Sequence, residues 1–181
     1  IGTAVFGGIH YHHGDKKIPR HLTAPPFNTE LFLGRANDLN AIEADYQQNN
    51  RLLVLVNGEG GIGKTTLAAK YWYAHETRYQ HLAWLYADAG IGSALVTLKE
   101  KLGVAFAPED TLEIQVQRMA EALSNLQAPC LLVFDNANNE ADLKQHYALL
   151  NRLSNCHILL TSRVRKVANM KTHEVKPLTP E

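Results

Sequence analysis

Gly58-Glu59-Gly60-Gly61-Ile62-Gly63-Lys64-Thr65 follows the aliphatic run Arg51 to Asn57 (RLLVLVN), and its reading decides the fold. The spacing is G-x-x-x-x-G-K-T, after a strand-like run and ahead of a helical segment, which is where a phosphate loop has to stand. Glycines at 58, 60, 61 and 63 admit turns closed to residues with a side chain, so successive N–H groups can converge on phosphate oxygens. The helix that follows offers its positive end to the same anion. Lys64 is expected to set an ammonium between the outer phosphates, the Thr65 hydroxyl to ligate magnesium, and Thr66 to contact the inner phosphate. Gly58, Gly60, Gly61, Ile62, Gly63, Lys64, Thr65 and Thr66 are thus the expected phosphate-binding residues.

Working outward, short apolar runs recur at His81–Ala87, Cys130–Asp135 and His157–Thr161, with a weaker one at His173–Val175. Unbroken runs of this kind suit strands covered on both faces of a parallel sheet. Helical stripes fill the gaps: Leu39, Ile42 and Tyr46; Leu95, Leu98 and Leu102; Val116, Met119, Leu123 and Leu126; Leu143, Leu150 and Leu153. Strands alternating with helices predict an α/β domain, three layers around a parallel sheet of about five strands. Residues 1–30, rich in glycine and proline and without a helical period, read as a linker or extended segment, and 31–181 as the domain proper. His10, His12 and His13 lie in that first segment without cysteine or carboxylate partners at ligand spacing, so a solvated segment is the better reading than a metal site.

The run Cys130–Asp135 delivers a carboxylate at the carboxyl end of a strand, where open α/β sheets bind ligands. Asp135 is the candidate to hold magnesium together with Thr65, because this ion keeps several waters and takes few protein ligands. Many hydrolytic relatives place a second acid directly after this aspartate; here the residue is Asn136, and an amide is no general base. Glu140, the nearest acid downstream, reads as the start of the next helix. Slow hydrolysis, or hydrolysis needing a group from elsewhere, is the expectation.

Composition excludes several classes. The chain of 181 residues carries 18 basic and 18 acidic side chains, so no field of one sign draws it onto nucleic acid or an anionic membrane. No apolar run is long enough to span a bilayer, and there is no basic-then-apolar leader pattern, so a cytoplasmic location is expected. Cys130 and Cys156 sit in apolar runs and read as buried thiols, with a disulfide the less favoured alternative.

Taken together these motifs resemble the NB-ARC nucleotide-binding domain of STAND-class, NLR-like signalling ATPases, from about residue 30 onward. Phe32-Leu33-Gly34-Arg35 resembles the family's hydrophobic-Gly-Arg signature, which implies that Leu33 and Arg35 flank adenine and ribose. Thr161-Ser162-Arg163 is similar to its sensor segment, which implies that Arg163 reports on the terminal phosphate; an always-charged, forked donor suits that task. Val175 to Glu181 resembles the end of the nucleotide-binding subdomain, ahead of helical and winged-helix subdomains that this chain lacks. The Asp-Asn pair and the linker style look more like bacterial members than plant or animal ones. The resemblance, with the lack of a guanine-reading Asn-Lys-x-Asp segment, implies ATP and ADP with Mg2+. It also implies effector and sensor domains as partners in a longer chain, a homo-oligomer on activation, and a defence role, antiviral among the settings. No nucleic acid or membrane partner is implied.

Three functions remain open from the residues alone. The first is an ADP/ATP switch with slow or conditional hydrolysis, in which Lys64, Asp135 and Arg163 carry the chemistry. The second is a P-loop ATPase or kinase acting on a further substrate, and the third a nucleotide-dependent scaffold that does not hydrolyse.

Overall fold

The computed structural model describes residues 17–28, 34–56, 63–167 and 169–178, with the backbone alone for 52–56. Leu33, Gly58, Gly60, Gly61 and Ile62, and the three histidines at 10, 12 and 13, lie outside the described residues. Along the chain come α1 (Ala36–Gln47), β1 (Leu52–Val56), α2 (Lys64–His75), a 3₁₀ turn (Glu76–Arg78), β2 (His81–Tyr86), α3 (Ile91–Val96), α4 (Lys99–Leu102), α5 (Leu112–Ser124), β3 (Cys130–Asp135), α6 (Glu140–Arg152), β4 (Cys156–Ser162) and β5 (Lys171–Glu174).

All strands pair in parallel, in the order β2-β3-β4-β1-β5. Successive strand residues face opposite sides of a sheet, and both sides here are covered. Leu82, Trp84, Leu131, Val133 and Leu159 pack with α1 and α2. Ala83, Leu85, Leu132, Phe134, Ile158 and Leu160 pack with α3, α5 and α6. The expected three-layer α/β architecture is the one observed.

The strand order puts β1 between β4 and β5 and sends the ends of β1, β3 and β4 to one edge of the molecule. Thr161 of β4 pairs with Leu55 of β1, and Phe134 of β3 with Leu160 of β4, so the residues that end these runs come together without any loop reaching across. Cys130 and Cys156 are register partners at the opposite end, both buried free thiols.

The stripe Leu95, Leu98, Leu102 reads as one helix in sequence; in the structure it is two, α3 and α4. At the break the hydrogen bonds tighten, with Thr97 N–H donating to Ala94 O at 3.2 Å and Leu98 N–H to Leu95 O at 3.1 Å. The Thr97 hydroxyl takes the same Ala94 carbonyl at 2.6 Å. A β-branched hydroxyl residue competing for its own helix carbonyl is a local reason for the break. The strand expected at His173–Val175 begins earlier, at Lys171, because its pairing with β1 starts there.

Part of the linker-like segment is built into the domain. Leu22 is 1% exposed, and the backbone of Arg20–Leu22 pairs with Leu82 on the open edge of β2 through two 2.8 Å hydrogen bonds. One backbone rung on the sheet and one buried leucine turn a solvated-looking stretch into an edge partner.

Candidate functional site

The site begins at Gly63, which caps α2 with a φ of 86°, a left-handed conformation that glycine adopts without steric cost. A Cβ there would lie 3.5 Å from Nη2 of Arg35, an ordinary contact, so it is the backbone conformation and not crowding that favours glycine. Lys64, Thr65 and Thr66 follow as the first turn of α2, where unpaired N–H groups and the helix dipole favour an anion.

Asp135 ends β3 and is 3% exposed. Its Oδ1 accepts hydrogen bonds from the Thr65 hydroxyl at 2.8 Å and from the Thr161 hydroxyl at 2.6 Å. Thr65 of the loop motif and Asp135 at the strand end, expected to act together, are thus in direct contact. A hydroxyl and a buried carboxylate are hard oxygen donors and fit a magnesium ion, which asks for few protein ligands. Among the described residues no cluster of three or more His, Cys, Asp or Glu competes as a metal site.

Lys64 is 8% exposed. Burial draws its ammonium below the usual lysine range, the charge of Arg163 acts in the same direction, and Asp135 opposes both. Lys64 therefore feels both Arg163 and Asp135, and Arg163 directly follows β4, the strand that pairs with β3. Two cations and one carboxylate in this setting leave positive charge for a polyphosphate to neutralise.

Arg163 follows β4, and the loop after β3 is stitched to that strand end. The Thr161 hydroxyl also accepts the Asn136 N–H at 2.9 Å. Ala137 N–H donates to Thr161 O at 2.9 Å, and the Ser162 hydroxyl donates to Ala137 O at 2.6 Å. The Arg163 N–H donates to Oδ1 of Asn138 at 2.9 Å. Sequence reasoning missed the parts played by Thr161 and Asn138; the available signal was a hydroxyl residue closing an apolar strand directly opposite the aspartate strand.

On the far side of Gly63, the Arg35 guanidinium donates through Nη1 to Lys176 O at 2.6 Å and to Oδ2 of Asp38 at 3.3 Å. Lys70, on α2, donates to Gly34 O at 2.9 Å. Gly34–Asp38, Glu174 and Lys176–Leu178 line a cleft of about 580 Å³ beside Arg35. The structure thus brings together Arg35, Gly63, Lys64, Thr65, Asp135 and Arg163, while Thr66 sits half-buried one residue further along α2.

Comparison with known proteins agrees with this geometry. The NB-ARC domain family matches residues 36–181. This chain belongs to the NB-ARC domain family. It is similar to the disease resistance protein RPP13 of Arabidopsis thaliana, 28% identical over 138 residues that cover 68% of this chain and 16% of that protein. Among solved structures it is similar to Cdc6p from Pyrobaculum aerophilum, with a TM-score of 0.62 and 15% identity over 87% of this chain and 49% of that one. At that identity the likeness is one of fold. The chain spans less than two thirds of the length of either protein. As an NB-ARC domain it is a nucleotide-binding domain of the P-loop NTPase type, related to plant disease resistance proteins. Among the described residues no helix is long and apolar enough to cross a membrane.

Proposed function

We propose that this NB-ARC domain is an ADP/ATP switch whose slow or conditional hydrolysis resets a signalling protein. The observation that carries the reading is the 2.8 Å contact between Thr65 on the phosphate-loop helix and Asp135 at the end of β3, with Lys64 and Arg163 electrostatically linked beside it. Lys64 neutralises the outer phosphates, and Thr65 and Asp135 hold Mg2+, which supplies charge neutralisation on the phosphoryl oxygens. Arg163 reads the terminal phosphate, and its backbone tie to Asn138 links that reading to the loop after Asp135. Gly58, Gly60, Gly61, Ile62 and Gly63 cradle the phosphates, Thr66 meets the inner one, and Leu33 and Arg35 flank adenine and ribose.

In the whole protein, residues 1–30, with Arg20–Leu22 laid along β2, join an effector domain to this domain at 31–181, and helical and winged-helix subdomains and a sensor follow. A nucleotide shifts a two-state equilibrium only by its difference in affinity for the two states, so those parts supply much of the difference. ATP binding then favours a homo-oligomer that activates the effector in the cytoplasm, in defence signalling, antiviral among its settings.

The test is to purify the chain without added nucleotide, denature it and identify what is released. ADP at near-stoichiometric amount, lost in Lys64→Ala, is the expected result. Release of GDP, or binding unaffected by Lys64→Ala, contradicts the reading.

A further inference from the structure

Asn136 stands where an acid would polarise the attacking water, yet its side chain is not idle. Its Nδ2 donates to Oδ1 of Asp88 at 3.3 Å. Both partners are held from behind. Asn136 has a φ of 62°, and its N–H is bound to the Thr161 hydroxyl, which in turn holds Asp135. Asp88 lies two residues beyond Tyr86, the register partner of Asp135. The turn that carries it is clamped by Ala87 N–H to Asp135 O at 2.7 Å and Gly90 N–H to Ala87 O at 3.0 Å.

The geometry points to Asp88 as the general base for ATP hydrolysis, supplied by the neighbouring strand and aimed by Asn136. This rests on the nucleotide-switch reading. Other acids nearby are committed elsewhere: Asp135 to the two threonines, Asp142 to the Ile91 N–H at 2.9 Å, and Glu140, on the first turn of α6, to Lys144 at 2.6 Å. Asp88 is exposed, its Oδ1 is engaged by the amide, and Oδ2 is left to accept a proton. In the step, water oxygen forms a bond to the terminal phosphorus as the bond from that phosphorus to the bridging oxygen breaks. ADP leaves with the electron pair, the water proton passes to Asp88, and it is then released to phosphate or solvent. A neutral amide such as that of Asn136 cannot take that proton, whereas the Asp88 carboxylate beside it can, so hydrolysis does not require an acid directly after Asp135.

The experiment measures phosphate release from Mg-ATP and, on the same samples, ATP and ADP binding by calorimetry, for the parent chain, Asp88→Asn, and the exchange Asp88→Asn with Asn136→Asp. A positioned base contributes about 100-fold or more, so Asp88→Asn is expected to lose at least about tenfold in release with affinities within about twofold. The exchange, which restores one acid and one amide to the pair, is expected to recover turnover. Parental turnover in Asp88→Asn, or a parent that binds ATP without hydrolysing it, overturns the assignment while leaving the switch reading intact. A parent that binds no nucleotide overturns the switch reading instead.

Discussion

Thr161 has a fully buried side chain and commits its hydroxyl in both directions, donating to Asp135 and accepting from the Asn136 N–H. Replacing it with valine keeps the shape but leaves an N–H without its acceptor and a carboxylate short of one donor. Groups that orient a metal ligand typically matter about 10- to 100-fold in metal affinity. Thr161→Val is therefore expected to weaken Mg-dependent ATP binding about tenfold and to leave Mg-free ADP binding within about twofold, with Thr161→Ser close to parental. Calorimetry with and without magnesium decides it. Equal loss for both nucleotides would reduce Thr161 to a folding role. At this scale the candidate loop, Asp135 and Arg163 were legible in sequence because each is a short local pattern. The Thr161 and Asp88 contacts were not, since they join residues 26 and 48 apart to positions whose side chains carry no signature.

Among the elements, β2 is an edge strand whose open side is covered by the segment 20–23. After the backbone rung at Leu82, the Thr23 hydroxyl takes over: it donates to Trp84 O and accepts from Trp84 N–H, each at 2.6 Å. A side chain thus completes a sheet edge that the backbone leaves open. Thr23→Val is expected to cost about 1–3 kcal/mol, the penalty for a buried unpaired N–H. For a chain of this size that is a drop of roughly 2–10 °C in melting temperature. Thr23→Ser should melt near the parent. A Thr23→Val melt equal to the parent would mean that water replaces the hydroxyl. The segment read as linker because glycine and proline masked a single buried leucine, and one residue makes no periodic pattern.

Across the whole molecule, a buried polar chain at the end of the sheet away from Asp135 ties α1, α2, the 3₁₀ turn and β4 together. Tyr71 donates to Oε2 of Glu43 at 3.0 Å, the Tyr71 and Tyr79 hydroxyls meet at 3.0 Å, and Tyr79 meets Nδ1 of His157 at 2.9 Å. Three contacts share two hydroxyl protons and Glu43 only accepts, so the remaining proton belongs on Nδ1 of His157. Burial first, and the Arg78 charge next, pull the His157 imidazole below the usual 6.5. Burial raises Glu43, but hydrogen bonds from Arg78, Tyr71 and Gln47 outweigh it and leave the carboxyl below 4.5. Both groups bind protons more tightly when unfolded, so stability is complete above their unfolded values and falls as pH drops. Urea stability is expected to be level above about pH 7, to decline first below about 6.5 through His157 and again below about 4.5 through Glu43. His157→Asn should flatten the upper decline. A parent equally stable from pH 7 to 5 would contradict the assignment.

Local patterning was able to specify the α/β class, four of the five strand positions closely, the phosphate-loop motif and the aspartate opposite it. It could do so because strand periodicity, glycine spacing and a carboxylate at a strand end are properties of contiguous residues. The tertiary structure decided which loops meet at the ends of β2, β3 and β4, that Arg35 reaches Lys176, and that Asp88 faces Asn136. Those contacts follow from strand order, and strand order is set by how the helices and the edge segment bury the sheet's two faces, a property of the assembled core that no local pattern encodes.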